Sequence, residues 1–426
     1  MKRVLLLAAL LTLSLGLAVS GQVRKEVFGI PPPATNPLLA HADAFFDDNR
    51  LHEIRLAINS KDWQSLKDHY LDNTYYQCDF AWGDHTVRNI GIRSRGTGSR
   101  SGVKPGLRLD FDRYVTDQKF LGLKSVVLRN NTQDPSNMHE RLSMLLFRRL
   151  NLLASREAHT KLFINNDYVG LYTIVESIDK SFLTRKLDEN DGYLYKYDYP
   201  GDAQPYLLTD KGSDPASYVP LPFKPETHES DPRPEFVAQL IQTINQSTAT
   251  FRTAIAEYLD LQKFLRHVAV EMFMADNDGF LGDYGVNNFY LYRYQDRKLF
   301  TFIAWDKSNA FSSPTFSIFR NHVGLPSARQ NQLMLRALSY PDLYNYYLDT
   351  LLECARSAAE LIAGDSRGWL ERETEKEYIQ IRDAARADPE KDFTNDQFEA
   401  AIVDVRSFAR QRSNNVTGEV ASFRVP

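Results

Sequence analysis

The stretch GDYGVNNFYLYRYQDRKLFTFIAWDKSNAF, from Gly282 to Phe311, carries its acidic and amide residues in two places. Asp283, Asn287 and Asn288 precede one apolar run, and Asp306 follows the next. Two strands joined by a short turn around Gln295 to Lys298 would return the chain to its starting level and bring Asn288 and Asp306 together. Carboxylate and amide oxygens at strand ends suit Mg2+ or Mn2+ better than zinc. The nine histidines form no HExxH pair. Four residues separate Asp283 from Asn288. Phosphoryl-transfer sites use that separation for an acceptor-orienting Asp and a metal-binding Asn, with a second metal-binding Asp after the next hairpin. Asp and Asn also favour turns and strand ends for local reasons. The weight therefore rests on the order helix, Asp, Asn, hairpin, Asp.

A phosphate cradle has a candidate upstream in RGTGSRSGVK, Arg95 to Lys104. Gly96, Gly98 and Gly102 miss the GxGxxG spacing by one residue, and such a loop is more often a mobile hairpin tip. Its mixture of glycine with Arg93, Arg95, Arg100 and Lys104 suits phosphate oxygens. Lys104 is the expected phosphate-binding lysine, with Arg108 second. Glu176 closes the apolar run GLYTIVE, where it can brace a lysine, contact a nucleotide or face solvent. Glu140 is a weaker brace: on a helical projection it lies away from the Met138, Leu142, Leu146 face, which points it to solvent.

These residues need elements to hold them. Leu51, Ile54, Leu56 and Ile58 alternate as a strand does, Ser60 opens a helix, and Tyr75 to Phe111 reads as β-rich. Asp134 as a cap and Pro135 at the first helical position begin a helix whose core face is Met138, Leu142, Leu145, Leu146 and Leu150. Two strands follow around an Asn166-Asp167 turn, ending at Glu176. The Pro-rich stretch 200–234 reads as an irregular surface excursion, too irregular for a core. Asp260 caps the helix that delivers the chain to the catalytic stretch, with Leu259 and Phe264 as a hydrophobic staple. From Pro341 onward the pattern is of amphipathic helices.

Composition narrows the class. The chain has 426 residues, 43% of them hydrophobic, and a net charge of -4 with no block of like charge, which argues against nucleic acid as a partner. Lys2 and Arg3, the apolar run Val4 to Val19, and small residues at Ala18 and Ser20 read as a cleaved secretory signal peptide over 1–20. No other stretch is apolar enough to span a bilayer, so a soluble protein outside the cytoplasm is expected. Cys78 and Cys354 are the two cysteines; pairing and burial as free thiols stand equally open.

Several stretches together resemble the spore coat protein H family, also called CotH kinases. They are VRNIGIRSRGTGSR, KPGLRLDFD, LRNNTQDPSNMHERLSMLLFRRLN, LFINNDYVGLYTIVESID, GYLYKYD, DYGVNNFYLYR and FIAWDKSNAF. The resemblance spans roughly Phe45 to Phe311. It implies an α+β, atypical protein-kinase-like fold: a mostly antiparallel N-terminal sheet with one helix (45–180, after an extension 21–44), a part holding the Pro-rich insertion and the catalytic hairpin (181–311), and a helical C-terminal part (312–426). It also implies transfer of the γ-phosphoryl group of ATP to Ser or Thr of a protein substrate, with Mg2+ or Mn2+, by a secreted kinase. Carried over by position, Asp283 orients the acceptor, with Asp278 a second claimant. Asn288 and Asp306 hold metal, Lys104 and the Arg93 to Arg100 loop hold phosphates, and Glu176 lies near the nucleotide. Leu281-Gly282 and Lys307-Ser308 depart from the residues that flank these aspartates in ordinary kinases, and Ser308 stands where the family usually shows a second acid. An inactive binding or coat protein and a nucleotidyl transferase on the same fold are the alternatives.

Overall fold

The computed structural model describes residues 42–198, 201, 205–246 and 250–424, so the predicted signal peptide lies outside the described residues. The chain is α+β. Seven strands, β1 (His52–Ile58), β2 (Tyr76–Trp82), β3 (His85–Ser94), β4 (Leu107–Asp110), β5 (Ser125–Arg129), β6 (Glu157–Ile164) and β7 (Asp167–Glu176), close into a barrel in the order β1-β2-β3-β4-β5-β7-β6. The pairing is mostly antiparallel as expected, but the strands form a closed barrel and not the simple sheet expected. All neighbours but one are antiparallel, and the exception, β1 beside β6 in register His52↔Thr160 to Leu56↔Ile164, closes the ring. Closure pairs strands that would otherwise present open edges. Alternate residues point inward, so Ile54, Leu56, Ile90, Ile92, Leu107 and Leu109 share one apolar core. Phe80 and Phe120 meet edge to face in it at 4.8 Å.

Helix α1 (Ser60–Asp68) packs on the barrel, and Asn59, not Ser60, caps it by accepting from Lys61 N. Helix α2 (His139–Arg149) starts later than the sequence predicts, because Asp134 caps the preceding turn, accepting from Ser136 N and His139 N, both at 2.8 Å. Its predicted apolar face is buried at Met138, Leu142, Leu146 and Leu150 and half-buried at Leu145. Helix α3 (Lys180–Leu187) follows the barrel directly, capped by Asp179. The turn between β6 and β7 falls at Asn165 and Asn166, both left-handed.

A second sheet runs β11-β10-β8-β9, built from β8 (Tyr193–Tyr197), β9 (Phe223–Pro225), β10 (Phe289–Arg293) and β11 (Phe300–Ala304). Its composition overturns the reading of 200–234 as an excursion. Phe223 pairs with Tyr197, and Tyr206, Leu208, Tyr218 and Val219 are buried in the larger core. Proline is tolerated there because β9 is an edge strand.

Helix α4 (Leu261–Phe273) is capped by Asp260 as predicted, accepting from Gln262 N and Lys263 N. It packs with α5 (Pro341–Ala358), α6 (Trp369–Ala387) and α7 (Asn395–Phe423) in the larger core. Arg412 of α7 is fully buried, yet satisfied by the carbonyls of Met272 and Phe273 at the C-terminus of α4 and of Pro314 and Phe316. A cation there completes the orphan carbonyls of that terminus. Helix α6 straps the barrel: Arg141 pairs with Glu377 at 2.9 Å, and Tyr168 donates to Ala384 O. Cys78 lies in the barrel core and Cys354 in the larger core, both buried free thiols, so they form no disulfide.

Candidate active site

The β10–β11 register sets Phe289 opposite Ala304, and Trp305 N donates to Asn288 O at 3.3 Å. Asn288 (φ 59°), the residue before β10, and Asp306 (φ 50°), two residues past β11, are both left-handed, a conformation that Asn and Asp tolerate better than most residues. Both line one cavity of about 480 Å3 between barrel and second sheet, together with Asp278, Asn287 and the 95–100 loop.

Asp278 occupies this cleft and Asp283 does not. Asp278 accepts from Asn287 Nδ2 (2.8 Å), Asn288 Nδ2 (3.0 Å) and Asn309 Nδ2 (3.2 Å). Burial pushes its carboxyl above the usual range; the charge of Asp306 adds to this, while the amide hydrogen bonds oppose it. Asp283, expected to orient the acceptor, points away and takes Arg320 bidentately (2.9 and 2.7 Å) with Asn321 at 3.0 Å. The turn is responsible. Asp283 N donates to Asn277 O and Gly282 N to Gly279 O, curling the loop so tightly that a Cβ on Gly282 would lie 2.6 Å from Asn277 O.

Lys104, the expected phosphate-binding lysine, is likewise elsewhere. Its ammonium is buried behind the loop, 2.7 Å from Asp388 Oδ2, and donates to Leu171 O at 2.9 Å. Arg100 lines the cleft but spends its guanidinium on the carbonyls of Gly96, Tyr70, Leu71 and Asp72 and on Asn73, so it staples the loop. Arg93 lines the cleft while donating to Asn73 and Ser94 O. Arg95 is the loop's cation for the cleft: it sits over Trp305 at 5.5 Å, and burial with the charge of Arg129 lowers it to about 10. Arg108 lines the same cleft, 3.9 Å from Asp110. Glu176 does not line it. It is buried between Arg156 (2.7 Å) and Arg185 (2.5 Å), which overcome the effect of burial and hold its carboxyl low.

The residue that sequence reasoning missed is Arg129, at the end of β5. Its Nη1 lies 2.8 Å from Asp306 Oδ2 and its Nε 3.1 Å from Glu140 Oε1. The available signal was a basic residue closing the apolar run SVVL just before a helix that carries a glutamate, the order of the lysine–glutamate pair in protein kinases. Glu140 is buried rather than solvent-facing, because Glu140, Arg141, Ser143 and Met144 are covered along with the predicted face. Its Oε2 accepts from Lys307 N at 2.5 Å. Burial raises the Asp306 carboxyl, but Arg129 outweighs this and holds it low, with Ser308 Oγ donating at 2.9 Å.

Arg95, Arg108, Tyr290 and Trp305 also border a second cavity of about 670 Å3, walled by Val127, the 177–181 connector and the 226–230 loop. Among the described residues no three His, Cys, Asp or Glu side chains converge as a metal site. Asp306 and Asn288 both line the cleft and carry hard oxygen donors, the type that Mg2+ or Mn2+ takes.

The family model described as CotH kinase protein matches residues 92–416. Over 221 residues the chain is 28% identical to the inner spore coat protein H of Bacillus subtilis (strain 168), covering 51% of this chain and 58% of that protein. It is 27% identical over 173 residues to invasin CotH3 of Rhizopus delemar, covering 36% of this chain and 26% of that one. The chain thus spans only part of the length of either curated relative. The crystal structure of a Helicobacter pylori proinflammatory kinase, CtkA, aligns with 74% of the chain and 93% of its own at 10% identity and a TM-score of 0.30, too remote to carry an argument. With three quarters of its length inside one family model, the chain belongs to the CotH kinase protein family.

Proposed function

We propose that the cleft transfers the γ-phosphoryl group of ATP to a Ser or Thr hydroxyl of a protein, on an atypical protein-kinase-like fold outside the cytoplasm. The observation that carries this reading is the joined set Glu140–Arg129–Asp306, with Asp278 and Asn288 on the same rim. Arg129 takes the part of the kinase lysine, oriented by Glu140, with Arg95 above it as a second cation for phosphate oxygens. Asp278 accepts the hydroxyl proton as the acceptor oxygen bonds to phosphorus and the bond to the β-phosphate oxygen breaks, releasing ADP. Asn288 and Asp306 would hold Mg2+ or Mn2+, which would supply positive charge against the phosphates. The larger cavity, floored by Tyr290 and bounded by Val127 and Ile178, suits the base.

The test is label transfer from γ-labelled ATP to a Ser-rich peptide, by wild type beside Asp278→Asn, Asp306→Asn and Asp283→Asn. Transfer should persist only in wild type and Asp283→Asn, and its survival in Asp306→Asn refutes the reading. One observation favours a second reading, nucleotide binding without transfer: both Asp306 oxygens are engaged, by Arg129 and Ser308. In that case ATP stabilises the protein thermally and no label moves.

A further inference from the structure

Lys307 follows the metal-side aspartate and is 1% exposed. An ammonium has three donors, and here three oxygens surround it: Glu271 Oε1 at 2.5 Å, Asp276 Oδ2 at 3.0 Å and Asn288 O at 3.2 Å. Each belongs to a different segment around the cleft. Glu271 is on α4 and also accepts from Phe280 N at 2.8 Å, so it holds the loop that carries Asp278. Asp276 accepts from Asp278 N at 3.1 Å through its other oxygen. Asn288 presents its carbonyl to Lys307 and its amide to Asp278. The backbone N–H of Lys307 meets Glu140, the partner of Arg129.

This side chain is therefore one hydrogen bond from Asn288 and two from Asp278, while its backbone N–H meets the glutamate that pairs with Arg129. Removing the cation would leave Glu271 and Asp276 buried without their shared ammonium and would cut one of the ties between the 276–288 loop and the end of β11. Methionine fills the volume without supplying donors. Arginine supplies donors in a planar fork rather than a converging tripod.

We infer that Lys307 is a positioning residue, the internal cation that fixes Asp278 relative to Asn288 and Asp306; this rests on the phosphotransfer reading. It does not line the cleft, so its loss should weaken metal binding and turnover while sparing affinity for the nucleotide itself.

The experiment compares wild type, Lys307→Met and the charge-balanced double variant Lys307→Met/Glu271→Gln, which keeps the protein folded if the single variant does not fold. A non-hydrolysable ATP analogue is titrated without metal, Mn2+ is then titrated into the analogue complex by electron paramagnetic resonance, and kcat is measured. In the double variant, analogue affinity without metal should stay within about twofold while Mn2+ affinity and kcat each fall about 10- to 100-fold, the range for groups that orient metal ligands. Unchanged Mn2+ affinity and kcat in the folded double variant overturn the inference, as does a parallel loss of metal-free analogue affinity. A wild-type protein that does not bind the analogue fails at the phosphotransfer reading itself, an outcome distinguishable from either.

Discussion

Arg129 Nη1 and Asp306 Oδ2 lie 2.8 Å apart, joining the end of a barrel strand to the turn after the second sheet's hairpin. With Glu140 on the other side of the guanidinium, one cation faces two carboxylates across the joint between the two sheets. That joint is where a charge change has the most to disturb.

Replacing Arg129 with Ala should therefore cost stability as well as activity. It strands Glu140, which is buried, and Asp306, which is partly open to the cleft; breaking a buried pair from one side costs about 3–5 kcal/mol, and the Glu140 side of this network carries most of that cost. Denaturant unfolding should show the loss. Arg129→Lys should recover most of the stability but less of the activity, because a lysine cannot reach both carboxylates in a fork.

The two aspartates of the loop should separate cleanly. Asp278→Asn is expected to lower kcat at least about a hundredfold, the usual loss on removing a general base. Asp283→Asn breaks only a half-exposed pair with Arg320, worth about 0–1 kcal/mol, and should leave kcat within about threefold. Steady-state kinetics on the two variants checks both.

Asp179 gives a pH prediction. Burial raises its carboxyl to about 6, opposed by the backbone hydrogen bonds from Phe182 and Ser181. A carboxyl whose folded value is raised is best accommodated protonated, so its contribution is full below about pH 4 and declines as pH rises through about 6. Asparagine caps a helix as well as aspartate and carries no charge. Asp179→Asn should raise the melting temperature relative to wild type at pH 8 and leave it nearly unchanged at pH 4.

Lys104 and Asp388 should behave as structure, not as ligand. Asp388→Ala leaves a buried ammonium and is expected to cost about 3–5 kcal/mol, whereas Lys104→Met/Asp388→Leu should be far milder. The double variant should keep nucleotide affinity, measured by calorimetry.

The hairpin and its polar ends are legible in the sequence because period-2 apolar runs and turn residues act over a few positions. So is the α4 cap at Asp260. The choice of phosphate cation is not: Lys104 and Arg129 both lie near strand ends, and what removes Lys104 from the cleft is a carboxylate 284 residues away in the chain. Glu140 misleads for a related reason, since a helical projection assumes one wet face and α2 is covered on more than one side. Asp278 and Asp283 differ only in the path of the loop's own backbone bonds, which no side-chain pattern announces. The Pro-rich stretch joins the core through aromatic residues spaced irregularly between its prolines, so periodicity gives no warning of it.

The matched family region begins at residue 92, inside β3, yet the barrel is shut by β1, which bonds to β2 on one side and β6 on the other. A protein trimmed to the family boundary would lose the staves that complete the cask. The remaining ladder would then offer its unsealed flanks to any passing strand, and stickiness between molecules, rather than a merely weaker enzyme, is what such a truncation would deliver.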